Sequence, residues 1–399
     1  MSLREDNIDW HLRDGEEPRL LKVLSGHTDG FEVVKDNKAR TVWALEAEGK
    51  RLYMKRYKLS GTAEKMKNSI LPSKARVEYD AANTLISKGI PTTIPVAYGE
   101  KRKGGLLRGA WLVTEEISGV RPLIECLPEM EGEERGAALE KLAALAATLH
   151  ENGVYHRDFH CGNVLVRRVA GKPPELYVID LHRISFLKEM PYEKRVNNLA
   201  HLLYSVYAMM SPEERRSVIE NYSIACGGDG GDSAGALFGD VEKRIKGVRR
   251  RHMRSRTERC LKDSTGFDVV AKGEERCFVR KGRSYEDVKT LIAKHMELEE
   301  KGASALVKKD RYVTASIVSG EGGGGGEFFV KRYINKGVRD LLSASRARKG
   351  WVGANGLVVR GVATPPPVAC VERKGESFLI TEKADALEMD RFLIKNFGP

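Results

Sequence analysis

Three short blocks near the start of the chain return in the same order near its end, and this limits the possible folds more than any other feature. LYMKRY (Leu52–Tyr57) returns as FFVKRY (Phe328–Tyr333), GIPTTIPVA (Gly89–Ala97) as GVATPPPVA (Gly361–Ala369), and WLVTEE (Trp111–Glu116) as FLITEK (Phe378–Lys383). Blocks that recur in order at similar spacing mean that one supersecondary unit is built twice. Around the first copy, Val33–Val34, Thr41–Glu46 and Arg51–Tyr57 are β-rich runs separated by KDNKAR and EGK, both suited to turns. A helix is predicted after Pro72, where Ala75, Tyr79, Ala82 and Leu85 recur at helical spacing. Short strands follow at Val96–Tyr98 and Trp111–Ile117. The expectation is a small antiparallel sheet with one helix, made twice.

The first copy is followed by a different kind of sequence. Glu134–Glu151 reads as a helix with Leu139, Leu142, Leu145 and Leu149 on one side, then come YHRDFHCGNVLV, a turn in VAGKPP and the buried-strand run LYVIDL. Helices are predicted from about Tyr192 to Met210 and from Pro212 to Tyr222, and Gly227–Gly239 reads as a glycine-rich loop. At 399 residues, 41% hydrophobic and 31% charged, the chain suits a globular protein of two or three units. The N-terminus has no apolar h-region. The apolar stretch around Leu142–Leu149 is too short to span a bilayer and reads as a buried helix. Six scattered cysteines without a CxxC pair predict free thiols in a reducing cytoplasm. A net charge of +12 calls for an anionic partner: nucleic acid, an acidic membrane face or a phosphorylated substrate.

The chemistry is concentrated in HRDFHCGN, which sets Asp158 and Asn163 in the spacing H-R-D-x-x-x-x-N of kinase catalytic loops. Phosphoryl transfer needs a carboxylate to accept the proton of the attacking hydroxyl, and metal ions to neutralise phosphate charge. Asp158 suits the first task. Asn163 and Asp180 of VIDLHR offer the hard oxygen ligands that Mg²⁺ prefers, and a hairpin through VAGKPP returns Asp180 to the edge that carries Asn163. Lys55 ends a strand upstream of a helix that carries Glu78, the arrangement that grips the α- and β-phosphates of ATP in kinases. Taken singly, Lys55 is a strand-end charge and Glu78 a helix charge; with the downstream set they acquire a function. WLVTEEI forms the connection between lobes, with the backbone near Glu115 to Ile117 meeting adenine.

The pattern has departures. No G-x-G-x-x-G precedes Lys55, and the turn there is KDNKAR, where Lys35 or Lys38 would cover phosphates unless it is a plain surface turn. Asp180 is followed by Leu181 and His182 rather than Phe-Gly, and His156, His160 and Cys161 read as loop packing rather than a metal set. The expected fold is α+β and protein-kinase-like. Residues 1–118 form a β-rich N-lobe, 119–262 a helical C-lobe with a basic linker helix, and 263–399 a second, incomplete N-lobe-like domain.

MKRY around Lys55, KARVEYDAAN around Glu78, GIPTTIPVAYGE, HRDFHCGNVLV and VIDLHR together resemble the lipopolysaccharide kinase (Kdo/WaaP) family of Gram-negative bacteria, over most of Leu20–Tyr222. The resemblance implies transfer of phosphate from ATP, with Mg²⁺, to a sugar hydroxyl of the lipopolysaccharide inner core, heptose or Kdo, at the cytoplasmic face of the inner membrane. It implies roles for Lys55, Glu78, Asp158, Asn163 and Asp180, each within its own motif. Another small-molecule or protein Ser/Thr kinase on the same scaffold shares that set, whereas a non-catalytic kinase-like adaptor has no need of it. The basic run Lys243–Lys262 reads equally as a contact for anionic lipid or core phosphates and as a solvated linking helix. No nucleic-acid motif accompanies the charge, so nucleic acid is not expected as a partner. In the second copy Lys331 stands where Lys55 stands, but KARVEYDAAN aligns with RARKGWVGAN and puts Gly350 opposite Glu78. With no catalytic loop before Pro399, this copy is expected to be a structural or substrate-positioning module.

Overall fold

Alternation along the strand carrying Lys55 sets the architecture of the first part of the chain. In Lys50–Tyr57, Leu52 and Met54 point to one side of the sheet and are buried, while Tyr53, Lys55 and Tyr57 point to the other. The computed structural model describes residues 2–5, 7–13, 31–37, 39–47, 49–59, 71–169, 171–228, 230–320, 325–334 and 343–386. It falls into two units, Met1–Val248 and Arg249–Pro399, and the division lies inside one helix, Asp232–Glu258.

In the first unit, β1 (Ser2–Glu5), β2 (Ile8–Leu12), β3 (Glu32–Asp36), β4 (Arg40–Ala47), β5 (Lys50–Tyr57), β6 (Pro95–Lys103) and β7 (Leu106–Glu115) form one antiparallel sheet in the order β1-β2-β6-β7-β5-β4-β3. One face buries Leu52 and Met54 with Ile8, Trp10, Leu45, Val96 and Val113. Trp10 is fully buried, and a Cβ at Gly99 would lie 2.7 Å from its ring, so the crossing of β2 and β6 requires glycine there. The other face is covered by α1 (Lys74–Ser87), where Tyr57, Ala75, Tyr98, Leu107, Ala110 and Leu112 pack together. Ser73 caps α1 by accepting a hydrogen bond from the Arg76 N–H, and Gly89, at φ 70°, turns the chain out of it.

After β8 (Val120–Pro122) and the short α2 (Leu123–Cys126), α3 (Gly132–Glu151) buries Leu139, Leu142, Ala143, Ala146 and Leu149. Around it lie the pair β9 (Val154–His156) and β12 (Ile184–Phe186), the hairpin β10 (Val164–Arg167) and β11 (Glu175–Val178), and the helices α4 (Tyr192–Ser205) and α5 (Pro212–Ala225). Ser211 and Glu214 form a capping box at the start of α5. The stretch Gly227–Gly239, expected as a loop, instead becomes helical at Asp232 and opens α6 (Asp232–Glu258). Ala234, Leu237, Val241, Ile245 and Val248 recur at helical spacing and are all buried, so tertiary burial of this stripe outweighs the glycines' low helix propensity.

His150, inside this core, has its Nδ1 2.9 Å from the Tyr222 hydroxyl and its Nε2 3.2 Å from Asn198 Oδ1. Burial pushes its pKa from 6.5 down to about 4. Between these values the unfolded chain binds a proton that the folded chain refuses, so stability falls as pH drops through that window, by at most about 3 kcal/mol. Urea unfolding at pH 7 and pH 4.5 should show the loss; His150→Gln should be less stable at pH 7 and less pH-dependent.

The second unit contains β13 (Phe267–Lys272), β14 (Glu275–Arg280), α7 (Tyr285–Glu300), β15 (Lys308–Asp310), β16 (Val313–Gly320), β17 (Gly326–Ile334), α8 (Arg346–Val359), β18 (Pro367–Arg373) and β19 (Glu376–Glu382). Its sheet runs β13-β14-β18-β19-β17-β16-β15. Position matches position: Lys331 lies opposite Leu379 as Lys55 lies opposite Leu112, and an irregularity at Pro367/Ala369 corresponds to one at Pro95/Ala97. Ser345 caps α8 through the Arg348 N–H as Ser73 caps α1. Among the described residues, no helix is long and apolar enough to cross a membrane.

Candidate active site

Because β5 alternates, Lys55 and Tyr57 both face α1, and the buried residue that meets them is Glu78. Lys55 Nζ lies 2.7 Å from Glu78 Oε1, and the Tyr57 hydroxyl donates to Glu78 Oε2. Both carboxylate oxygens are thus engaged, and Glu78 is 5% exposed. Burial and then the adjacent carboxylate push the Tyr57 hydroxyl well above its ordinary pKa, so it remains a donor.

The loop that follows β9 is braced from inside. His156, fully buried, receives the Asp158 N–H on Nδ1 at 3.1 Å and presents Nε2 to the Ile179 carbonyl at 3.2 Å. This pattern fixes a neutral ring with its proton on Nε2, and burial lowers the pKa in agreement. The Asn198 amide holds the His156 carbonyl from α4. His160 Nδ1 accepts from the Gly162 N–H, and burial pushes the Cys161 thiol up to about 12. All three side chains brace the loop.

Asn163 donates from Nδ2 to the Asp158 carbonyl at 2.9 Å, which directs its Oδ1 elsewhere. Its own carbonyl accepts the Ile179 N–H at 2.9 Å, closing the β10–β11 hairpin so that Asp180 emerges beside it. Asp180 sits in left-handed backbone, φ 63° and ψ 53°, a conformation that costs a non-glycine residue about 1–2 kcal/mol. Its carboxylate receives His182 Nδ1 at 2.7 Å and faces Arg40 Nη1 at 3.3 Å. Burial alone would raise its pKa, but the His182 hydrogen bond and the charges of Lys55 and Arg40 outweigh it and hold the group ionised well below the usual carboxylate range. Glu78, Asp180 and His182 bring one ligand atom each within 4.8 Å of one another. Asp158 is different: its carboxylate is 40% exposed and has Arg183 Nη1 at 3.5 Å and His160 Nε2 at 3.9 Å, with no closer partner among the described residues.

GIPT ties the sheet to this loop. The Thr92 hydroxyl donates to the Val178 carbonyl at 2.6 Å, and the Pro91 carbonyl accepts the Val178 N–H at 3.0 Å. Glu115 ends β7, with its N–H on the Ile94 carbonyl and its carboxylate on Lys50 Nζ at 2.6 Å. Ile117 lies in the connection from β7 to β8, and β8 pairs with β10. Neither Glu115 nor Ile117 has a hydrogen bond or ion pair to Lys55, Asp158 or Asp180 among the described residues. Lys38 lies outside the described residues; in the same turn, Asn37 Oδ1 accepts the Ala39 and Arg40 N–H groups. A cavity of about 590 Å³ beside the loop is lined by Lys74, Arg157, His182, Arg183, Ile184 and Ser185, a strongly basic wall.

Tyr57, Arg40 and His182 belong to this constellation and were not singled out from sequence. Two-residue periodicity from Lys55 was available for Tyr57; Arg40 reaches Asp180 across a separation that no local pattern encodes.

Residues 27–222 match the model of the lipopolysaccharide kinase (Kdo/WaaP) family. The matched segment lies within the first unit, and there the chain is similar to this family. Curated relatives in it include the lipopolysaccharide core heptose(I) kinase WaaP of Pseudomonas aeruginosa, 28% identical over 212 residues, covering 49% of this chain and 75% of that protein. The Escherichia coli protein of the same name is 27% identical over 209 residues, covering 49% and 76%. Among solved structures, WaaP in complex with acyl carrier protein is similar at 22% identity and a TM-score of 0.44, covering 60% of this chain and 98% of that one. The family-matched span contains Lys55, Glu78, Asp158, Asn163 and Asp180.

Proposed function

We propose that this kinase transfers the γ-phosphate of ATP to a sugar hydroxyl of the lipopolysaccharide inner core, a heptose in the first instance and otherwise Kdo. The observation that carries the reading is the convergence of the Lys55–Glu78 pair, the ionised Asp180 and Asn163 on a loop whose remaining carboxylate, Asp158, stays open to an acceptor. The names of the relatives supply the acceptor class.

In this reading Lys55, anchored by Glu78 and Tyr57, positions the α- and β-phosphates, and Lys35 on β3 covers them from the sheet edge. The backbone of Glu115 to Ile117 faces adenine. Asn163 Oδ1 and the Asp180 carboxylate are the hard donors that fit Mg²⁺, and when bound the ion neutralises phosphate charge. Asp158 accepts the proton of the attacking hydroxyl, held in line by the neutral His156 beneath it. The basic cavity at Lys74, Arg157 and Arg183 suits an acidic core sugar. The first sheet with α1 is then a kinase N-lobe within residues 1–118, the helical part within 119–262 the C-lobe, and 263–399 an incomplete second N-lobe.

Deleting the gene and measuring the mass of the core oligosaccharide tests this directly. A core lacking one phosphate, restored by the wild-type gene but not by Asp158→Asn, is expected; unchanged core phosphate would overturn the assignment. Arg249, Arg250, Arg251 and Arg254 are exposed along α6 and are proposed to serve the anionic face of the inner membrane. Binding to anionic vesicles should fall steeply with added salt and fall further when these arginines are neutralised. Equal binding to neutral vesicles excludes it.

A further inference from the structure

The second unit keeps the lysine of the first and loses its counter-charge. In the first sheet Lys35, Val42, Lys55 and Leu112 lie side by side across four strands. In the second, Lys308, Ala315, Lys331 and Leu379 do the same. Residues directly opposite one another share a face, so Lys308 and Lys331 project to the same side with only the methyl group of Ala315 between them. That side is covered by α8, where Gly350 occupies the place of Glu78, five residues past the capping serine in both helices. A Cβ at Gly350 would lie 2.8 Å from Leu379 Cδ2, so any side chain there would require Leu379 to turn aside.

A third cation lies beside them, at the helix start where the first unit has Lys74. Arg346, the first residue of α8, has its guanidinium 5.0 Å from the centre of the Tyr333 ring, and Lys331 Nζ stands 5.5 Å from the same centre. Of the carboxylates around them, Glu372 pairs with Arg348 at 2.7 Å and Glu376 with Arg332 and Arg373, while Asp310, on the same face two residues past Lys308, accepts the Arg311 N–H at 2.6 Å. Among the described residues, Lys308, Lys331 and Arg346 form no ion pair with a carboxylate. Burial lowers the pKa of Lys331, and the charges of Lys308 and Arg346 lower it further.

We propose that Lys308, Lys331 and Arg346 form an anion site in the second unit that takes a phosphate group, borne by a nucleotide or by a phosphorylated sugar. A single carboxylate would offset one of these charges, whereas a phosphate dianion presents several oxygens to cations arriving from a strand edge, a strand centre and a helix start. An arginine fork and two lysines are the side chains that recognise such a group. What Glu78 supplies internally to Lys55, a ligand supplies here. The inference does not depend on the reaction assigned to the first unit.

Amine-reactive labelling of the full chain, read by mass spectrometry at Lys331 and Lys308, tests it at the site itself. Pyrophosphate at about ten times its Kd should slow labelling there about tenfold, because only the unliganded fraction reacts. Chloride at matched ionic strength should not, and Arg346→Gln should diminish the protection. A non-hydrolysable ATP analogue and a hexose phosphate, tested separately, identify the source by which protects at the lower concentration. Absence of protection by pyrophosphate, or equal protection by chloride, overturns the proposal.

Discussion

Asp158→Asn is expected to lower phosphoryl transfer by a factor on the order of a hundred to ten thousand while leaving nucleotide affinity within about twofold. The asparagine preserves the shape of the side chain, and the hydrogen bonds by which this residue braces the loop run through its backbone: its N–H to His156 and its carbonyl from the Asn163 amide. The carboxylate itself is half-open, with Arg183 Nη1 in an exposed ion pair at 3.5 Å and His160 Nε2 at 3.9 Å. Under the proposed mechanism its loss removes the proton acceptor, and besides that one exposed ion pair with Arg183. Asp180→Asn makes the contrast, and asparagine is the right replacement because it tolerates the left-handed backbone that alanine would strain. That variant loses the charge which His182, Arg40 and Lys55 hold in place, and should weaken binding of magnesium–ATP before it affects the acceptor step. Single-turnover rates and calorimetric binding of a non-hydrolysable ATP analogue separate the two. Wild-type turnover in both variants would remove the catalytic reading of this loop.

Much of that loop could be read before the structure, because its geometry is local. A turn at VAGKPP between two apolar runs makes a hairpin, and a hairpin necessarily returns Asp180 to the end that begins at Asn163; the Ile179–Asn163 bond records it. The helices over Lys74–Ser87 and Gly132–Glu151 followed from apolar spacing for the same reason. What could not be read depends on partners distant in sequence. IDWHL is a short run amid charge, and it becomes β2 because Trp10 fills the sheet face against Gly99. β13, β14 and α7 lie outside the repeated blocks, and the glycines of Gly227–Gly239 concealed the buried stripe that makes α6 a helix. At the site, Lys55 and Asp180 were visible as single motifs, whereas Arg40 and His182 matter because the fold brings them to one carboxylate.

The pair between Lys55 and Glu78 should show opposite outcomes for stability and for activity. Lys55→Met strands a carboxylate that is 5% exposed, and removing one partner of a buried pair costs about 3–5 kcal/mol. The Tyr57 hydroxyl still donates to Glu78, which places the loss toward the lower end of that range. Turnover should fall on the order of a hundredfold or more through lost phosphate positioning. In Lys55→Met/Glu78→Gln both charges are gone and the tyrosine retains an acceptor, so most of the lost stability should return, since replacing a whole buried pair is often neutral. The second unit supports this: its sheet and capped helix form with glycine where the carboxylate would be. Activity should not return, because the lysine that positions the α- and β-phosphates is still missing. Urea midpoints alongside kcat for the single and double variants decide the matter. A double variant that recovers turnover together with stability would mean that the pair merely holds α1 against β5 and that nucleotide is gripped by other residues.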